Sequence, residues 1–63
     1  MLSENLKRTR IKKNYTKQEL GRQAKMSART IESIENGKND NPRIKTIEAL
    51  AKVLKVSINT LIK

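Results

Sequence analysis

Sixty-three residues make one domain, close to the smallest size at which an apolar core alone holds a fold, and the absence of Cys and His excludes disulfides, thiolate or imidazole chemistry and the usual zinc sites. Apolar types are 35% of the chain and Tyr15 is its only aromatic residue, so the core must come from Leu, Ile, Val, Met and Ala, a composition suited to packed helices rather than a small aromatic sheet. Fifteen Lys and Arg against six Asp and Glu leave a net charge of +9, a self-repelling excess that points to a polyanionic partner. No apolar segment approaches the roughly 20 residues of a membrane span. The opening Met1-Leu2-Ser3-Glu4-Asn5 is no signal peptide, and no stretch has the broad apolar face and interfacial aromatics of a membrane-surface helix. A cytoplasmic chain is expected, and nucleic acid is the first partner to consider.

In chain order, the first predicted helix covers about residues 3–13. Leu2, Leu6 and Ile11, with Arg10 between them, are expected on its inner side, and Lys7, Arg8, Lys12 and Lys13 on its others. Asn14-Tyr15 ends it. Thr16, three residues before Glu19, is the start of a capping box, in which each side chain satisfies a backbone NH of the other residue, and opens a second helix over 17–24. Leu20 and Ala24 are its inner residues. Gly21 beside them costs about 0.8–1 kcal/mol relative to Ala, which suggests close approach of another backbone. After the turn Ala24-Lys25-Met26, Ser27 caps a third helix over 28–36, closed by Gly37 as a left-handed C-cap. A polar loop to Pro42 leads to a fourth helix, over 44–54, with Ile44, Ile47, Leu50, Ala51 and Leu54 at spacings of three and four. Lys55-Val56 turns the chain, and Ser57 caps a fifth helix over 58–62 containing Ile58, Leu61 and Ile62. The expected fold is all-α: one domain, residues 1–63, built as a compact bundle of five short helices.

The third helix carries the chemistry. At about 100° per residue, Ser27, Ile31 and Ile34 mark one side and Arg29, Glu32, Ser33 and Asn36 the other. Arg29 can donate a bidentate pair to guanine, Ser33 and Asn36 can bond base edges or phosphates, and the small Ala28 near the amino end can meet a thymine methyl. Any surface helix carries Arg, Glu, Ser and Asn, so the stripe decides nothing alone. Its setting does: a capped short helix precedes it across a tight turn, in a +9 domain, which is the build of a helix-turn-helix unit.

The run TKQELGRQAKMSARTIESIENGK, followed by NP and IEALAKVLKVSINTLI, resembles the helix-turn-helix domain shared by the lambdoid phage repressors and Cro proteins, the XRE family, over residues 4–62. The resemblance rests on Thr16, Glu19-Leu20, Ser27, Ile31, Ile34-Glu35-Asn36-Gly37, Pro42 and the LAKVLKVS tail. It implies a bacterial or phage-encoded regulator whose third helix enters the major groove of double-stranded DNA. Ala28, Arg29 and Ser33 then meet base edges, with Glu32 a fourth candidate. Lys17, Gln18, Ser27, Thr30, Asn36, Lys38 and Arg43 serve the sugar-phosphate backbone, and Arg10 and Glu35 form a partly buried link between the first and third helices. The family usually has Gln where this chain has Lys17, Ala where it has Gly21, and often Gly where it has Lys25. A lysine can hold a phosphate as a point charge but cannot orient a neighbour through a planar amide, and Lys25 at positive φ would cost about 1 kcal/mol.

One helix reads few base pairs, so two copies on a symmetric operator are expected, paired weakly through Val56, Ile58, Asn59 and Ile62 and reinforced by DNA. The alternative is that these apolar side chains close the chain's own core. Repression needs only occupancy and is favoured over activation, which requires a surface for RNA polymerase. An antitoxin or adaptor role, with the same fold against a protein partner, is the other open class. RNA binding is poorly served by a single aromatic. Catalysis is not expected: Glu19 and Glu48 suit a cap and a helix surface, and no nucleophile, base and orienting group can be assembled. Nor is a metal or cofactor, the carboxylates being scattered. The initial Met suits a small complete protein, whereas many repressors carry a further domain.

Overall fold

A computed structural model describes all 63 residues, Met1–Lys63, in five helices: α1 (Leu2–Lys12), α2 (Lys17–Gln23), α3 (Ala28–Glu35), α4 (Ile44–Leu54) and α5 (Ile58–Ile62). The first three end one residue before the apolar spacing predicts, because Lys13, Ala24 and Asn36 leave helical ψ and take the C-cap position with ψ near 0.

Three of the four connections share one construction. A residue in the left-handed region, an apolar residue and a hydroxyl cap follow one another as Asn14-Tyr15-Thr16, Lys25-Met26-Ser27 and Lys55-Val56-Ser57. In each, the apolar residue's NH reaches back to a carbonyl five positions earlier: Tyr15 to Arg10 at 3.1 Å, Met26 to Gly21 at 2.8 Å and Val56 to Ala51 at 3.0 Å. This is the Schellman closure, and Tyr15, Met26 and Val56 all pack against the core as that motif requires. The hydroxyl then starts the next helix, accepting from the NH three residues on at 3.0–3.2 Å. A three-residue link thus ends one helix, anchors it and begins the next. Gly37, at φ 84°, ends α3 with no steric cost, whereas Asn14, Lys25 and Lys55 hold φ near 60° with a Cβ.

The core is Leu6, Leu20, Ala24, Ile31, Ile34, Ile47, Leu50, Ala51, Leu54 and Leu61. α3 packs on α1 and α2, while α5 closes the far side against α1 and α4. Two apolar residues expected inside are outside. Ile11 is 55% exposed: five residues beyond Leu6, it is turned about 140° away, and the inner side of α1 is instead Asn5, Leu6, Thr9 and Arg10. Ile44 is in phase with Ile47 but is the first residue of α4, beyond the reach of the core, and stands 58% exposed. Ile62 is likewise exposed, and of α5 only Leu61 is fully buried.

Polar residues complete the interior. Buried Asn5 donates to the Leu61 carbonyl at 2.9 Å and accepts from Arg8, joining the two ends of the chain. No buried side-chain nitrogen or oxygen lacks a partner.

Candidate nucleic-acid interface

The position of α3 follows from the turn before it. A Cβ built on Gly21 would lie 2.6 Å from the Met26 carbonyl oxygen and 3.2 Å from the Ala28 nitrogen. Alanine, usual in the resembling family, does not fit this turn without movement; glycine lets the head of α3 close onto α2. Lys25 makes the turn at φ 60°, where the sequence predicted strain.

The inner side of α3 is Ile31 and Ile34, buried, and Glu35, whose side chain is 4% exposed. Arg10 grips Glu35 through Nε at 2.6 Å and Nη2 at 3.2 Å, while its Nη1 donates to the Tyr15 carbonyl at 2.8 Å. One guanidinium therefore fixes α3 against both α1 and the link to α2. Bidentate geometry and a third acceptor compensate for taking these charges out of water.

The outer side carries Arg29, Glu32 and Asn36, all exposed, with Ala28, Thr30 and Ser33 half-buried among them. Arg29 takes part in neither of the two ion pairs in the chain, so its guanidinium is unengaged. Ser27 and Thr30 bond each other through their hydroxyls at 3.0 Å as part of the cap. Asn36 accepts from the Lys38 NH at 3.0 Å, which commits its carbonyl to the loop and leaves its NH2 group outward. Lys17 is not a free cation: its Nζ lies 3.3 Å from Glu32 Oε1 across the α2–α3 crossing. As the side chain implies, the contact is made by a point charge and not by the planar hydrogen bond of an amide.

The head of α2 reaches this surface through the Lys17–Glu32 contact, and α4 begins with a second head that lacks a side-chain cap. The Lys17 and Gln18 NH groups of α2, and those of Ile44 and Lys45 in α4, have no partner in the chain. The capping box on α2 is half formed, since the Glu19 carboxylate meets the Thr16 hydroxyl rather than its NH. Arg43, the uncapped N-cap of α4, is exposed, as are Gln18 and Lys38. Open NH groups, beside the unpaired Arg43 and Lys45 at α4 and the Glu32-paired Lys17 at α2, make these heads suited to anionic oxygen atoms. At the carboxyl end, Val56 and Ile58 pack partly on the core, whereas Asn59 and Ile62 are exposed.

A helix-turn-helix family model matches residues 6–61, nearly the whole of this arrangement. The chain belongs to the XRE-type helix-turn-helix family. Over 62 residues it is 34% identical to the HTH-type transcriptional regulator SinR of Bacillus subtilis strain 168, and equally to that of Bacillus licheniformis. The match takes in 98% of this chain and 56% of each regulator, so the chain spans little more than half the length of these curated relatives. Its backbone is similar to the crystal structure of SinR, described as the master regulator for biofilm formation, in complex with DNA: TM-score 0.95, 33% identity, all of both chains covered. The solution structure of the N-terminal DNA-binding domain of SinR from Bacillus subtilis gives a TM-score of 0.86 at 33% identity, over 100% of this chain and 91% of that one. Family membership accounts for the two-helix unit. No helix of the chain is long and apolar enough to cross a membrane.

Proposed function

We propose that this chain is the sequence-specific double-stranded DNA-binding domain of a transcription regulator, acting as a repressor in the cytoplasm and without catalysis. The observation that carries the proposal is the unengaged outer face of α3, held by the Gly21 turn and the Arg10 clamp on a backbone that matches DNA-bound SinR at a TM-score of 0.95. In this reading Arg29 and Ser33, with Ala28, address base edges in the major groove. The open heads of α2 and α4, together with Gln18, Ser27, Thr30, Asn36, Lys38 and Arg43, hold the flanking phosphates.

The domain's longest Cα extent is 23 Å, less than the roughly 34 Å between successive major-groove faces. A symmetric operator therefore takes two copies, joined through the exposed Asn59 and Ile62 and the accessible parts of Val56 and Ile58. Such a contact is small, so pairing is weak until DNA aligns the copies; a tight dimer in sedimentation without DNA would contradict this.

Selection from random duplexes, followed by titration of Arg29→Ala on the selected site and a scrambled control, tests the reading. Loss of about 1–3 kcal/mol on the selected site alone is expected. Equal loss on both duplexes would make Arg29 a phosphate contact.

A further inference from the structure

Within that reading, the Lys17–Glu32 pair has a role that occupancy and phosphate binding do not require. An acidic side chain on the outer face of α3 is unfavourable beside phosphates, and Glu32 is 59% exposed there. Arg29, three residues earlier on the same helix, is the neighbour that could neutralise it locally. The carboxylate instead lies against Lys17 of α2, at 3.3 Å, and Arg29 stays free. Lys17 is thus placed to cancel the charge of Glu32 and to fix the direction of its oxygen atoms from outside the helix.

We infer that Lys17 and Glu32 form a base-reading unit in which Glu32 accepts a hydrogen bond from the exocyclic amino group of a cytosine or adenine and Lys17 is its positioning residue. An ionised carboxylate only accepts hydrogen bonds. In the major groove it meets donors at the amino groups of cytosine and adenine, and acceptors at guanine O6 and N7 and thymine O4. It therefore selects by attraction and repulsion together, and the penalty against the wrong base is as useful as the contact with the right one. In water the exposed pair contributes little to stability. In a closed groove, where solvent is displaced, the same two charges interact more strongly and hold their geometry.

The proposal rests on the DNA-binding reading but fails separately from it. The experiment measures affinity for every single-base variant of the selected half-site, using wild type, Glu32→Ala, Lys17→Met and Lys17→Arg, each checked for an unchanged thermal transition. Wild type is expected to discriminate by about tenfold for an amino-bearing base at one position. Glu32→Ala should flatten discrimination at that position alone, Lys17→Met should flatten the same position although Glu32 remains, and Lys17→Arg should restore it. A specific wild-type profile left unchanged by Glu32→Ala overturns the base-reading role. Uniform weakening by Lys17→Met with an intact profile makes Lys17 a phosphate contact and overturns its positioning role. A wild type without any base preference would instead defeat the DNA-regulator reading itself.

Discussion

The two sides of α3 each hold a glutamate paired with a cation from another helix, and the pairs are built for opposite ends. Glu35 and Arg10 are nearly buried, bidentate at 2.6 and 3.2 Å, and tied to a backbone carbonyl. Glu32 and Lys17 make one contact at 3.3 Å with side chains 59% and 39% exposed. A buried pair cannot lose a member without stranding a charge, whereas an exposed pair can be opened and remade at small cost. The first sets where α3 lies; the second is free to respond to what α3 meets.

Breaking the inner pair gives the largest expected effect. Glu35→Ala should destabilise the fold by about 3–5 kcal/mol in urea denaturation, while Arg10→Met with Glu35→Leu should recover most of the loss. A loss below 1 kcal/mol for Glu35→Ala would place the pair with the exposed one. Next comes Gly21→Ala, in which overpacking against the Met26 carbonyl opposes the gain in helix propensity. A net loss of about 1–2 kcal/mol is expected, with weaker DNA binding beyond what unfolding explains. Lys55→Gly relieves a left-handed residue remote from both sides of α3 and should raise stability by up to about 1 kcal/mol without altering affinity for DNA. Smallest is Lys17→Met, whose effect on stability should stay within about 0.5 kcal/mol even where its effect on base preference is plain.

Much of this architecture was legible in the residues. Ser27 and Ser57 cap their helices as read, Gly37 takes the left-handed turn, and Gly21 marks a close backbone approach, because each property belongs to a residue type at a local position. Ile11 and Ile44 were misplaced because apolar character alone does not say how far a small core extends; buried Asn5 and Arg10 occupy the interior that Ile11 was expected to share. The left-handed Asn14 and Lys55 do not follow from residue type alone, and their sequence signal is the recurrence of a polar residue, an apolar residue and Ser or Thr at three helix junctions. In the candidate interface, the outer stripe of α3 follows from helical periodicity. The Lys17–Glu32 contact does not, since it joins residues 15 positions apart and depends on how closely α2 and α3 cross.

The central claim is that this small basic domain recognises a DNA sequence rather than merely DNA charge. Fluorescence anisotropy with a selected duplex and its scrambled control, at two salt concentrations, tests it most directly. A large affinity ratio that survives the rise in salt is expected, with two chains bound per duplex. Equal affinities that fall together as salt increases would contradict it, since counterion release alone would then account for binding.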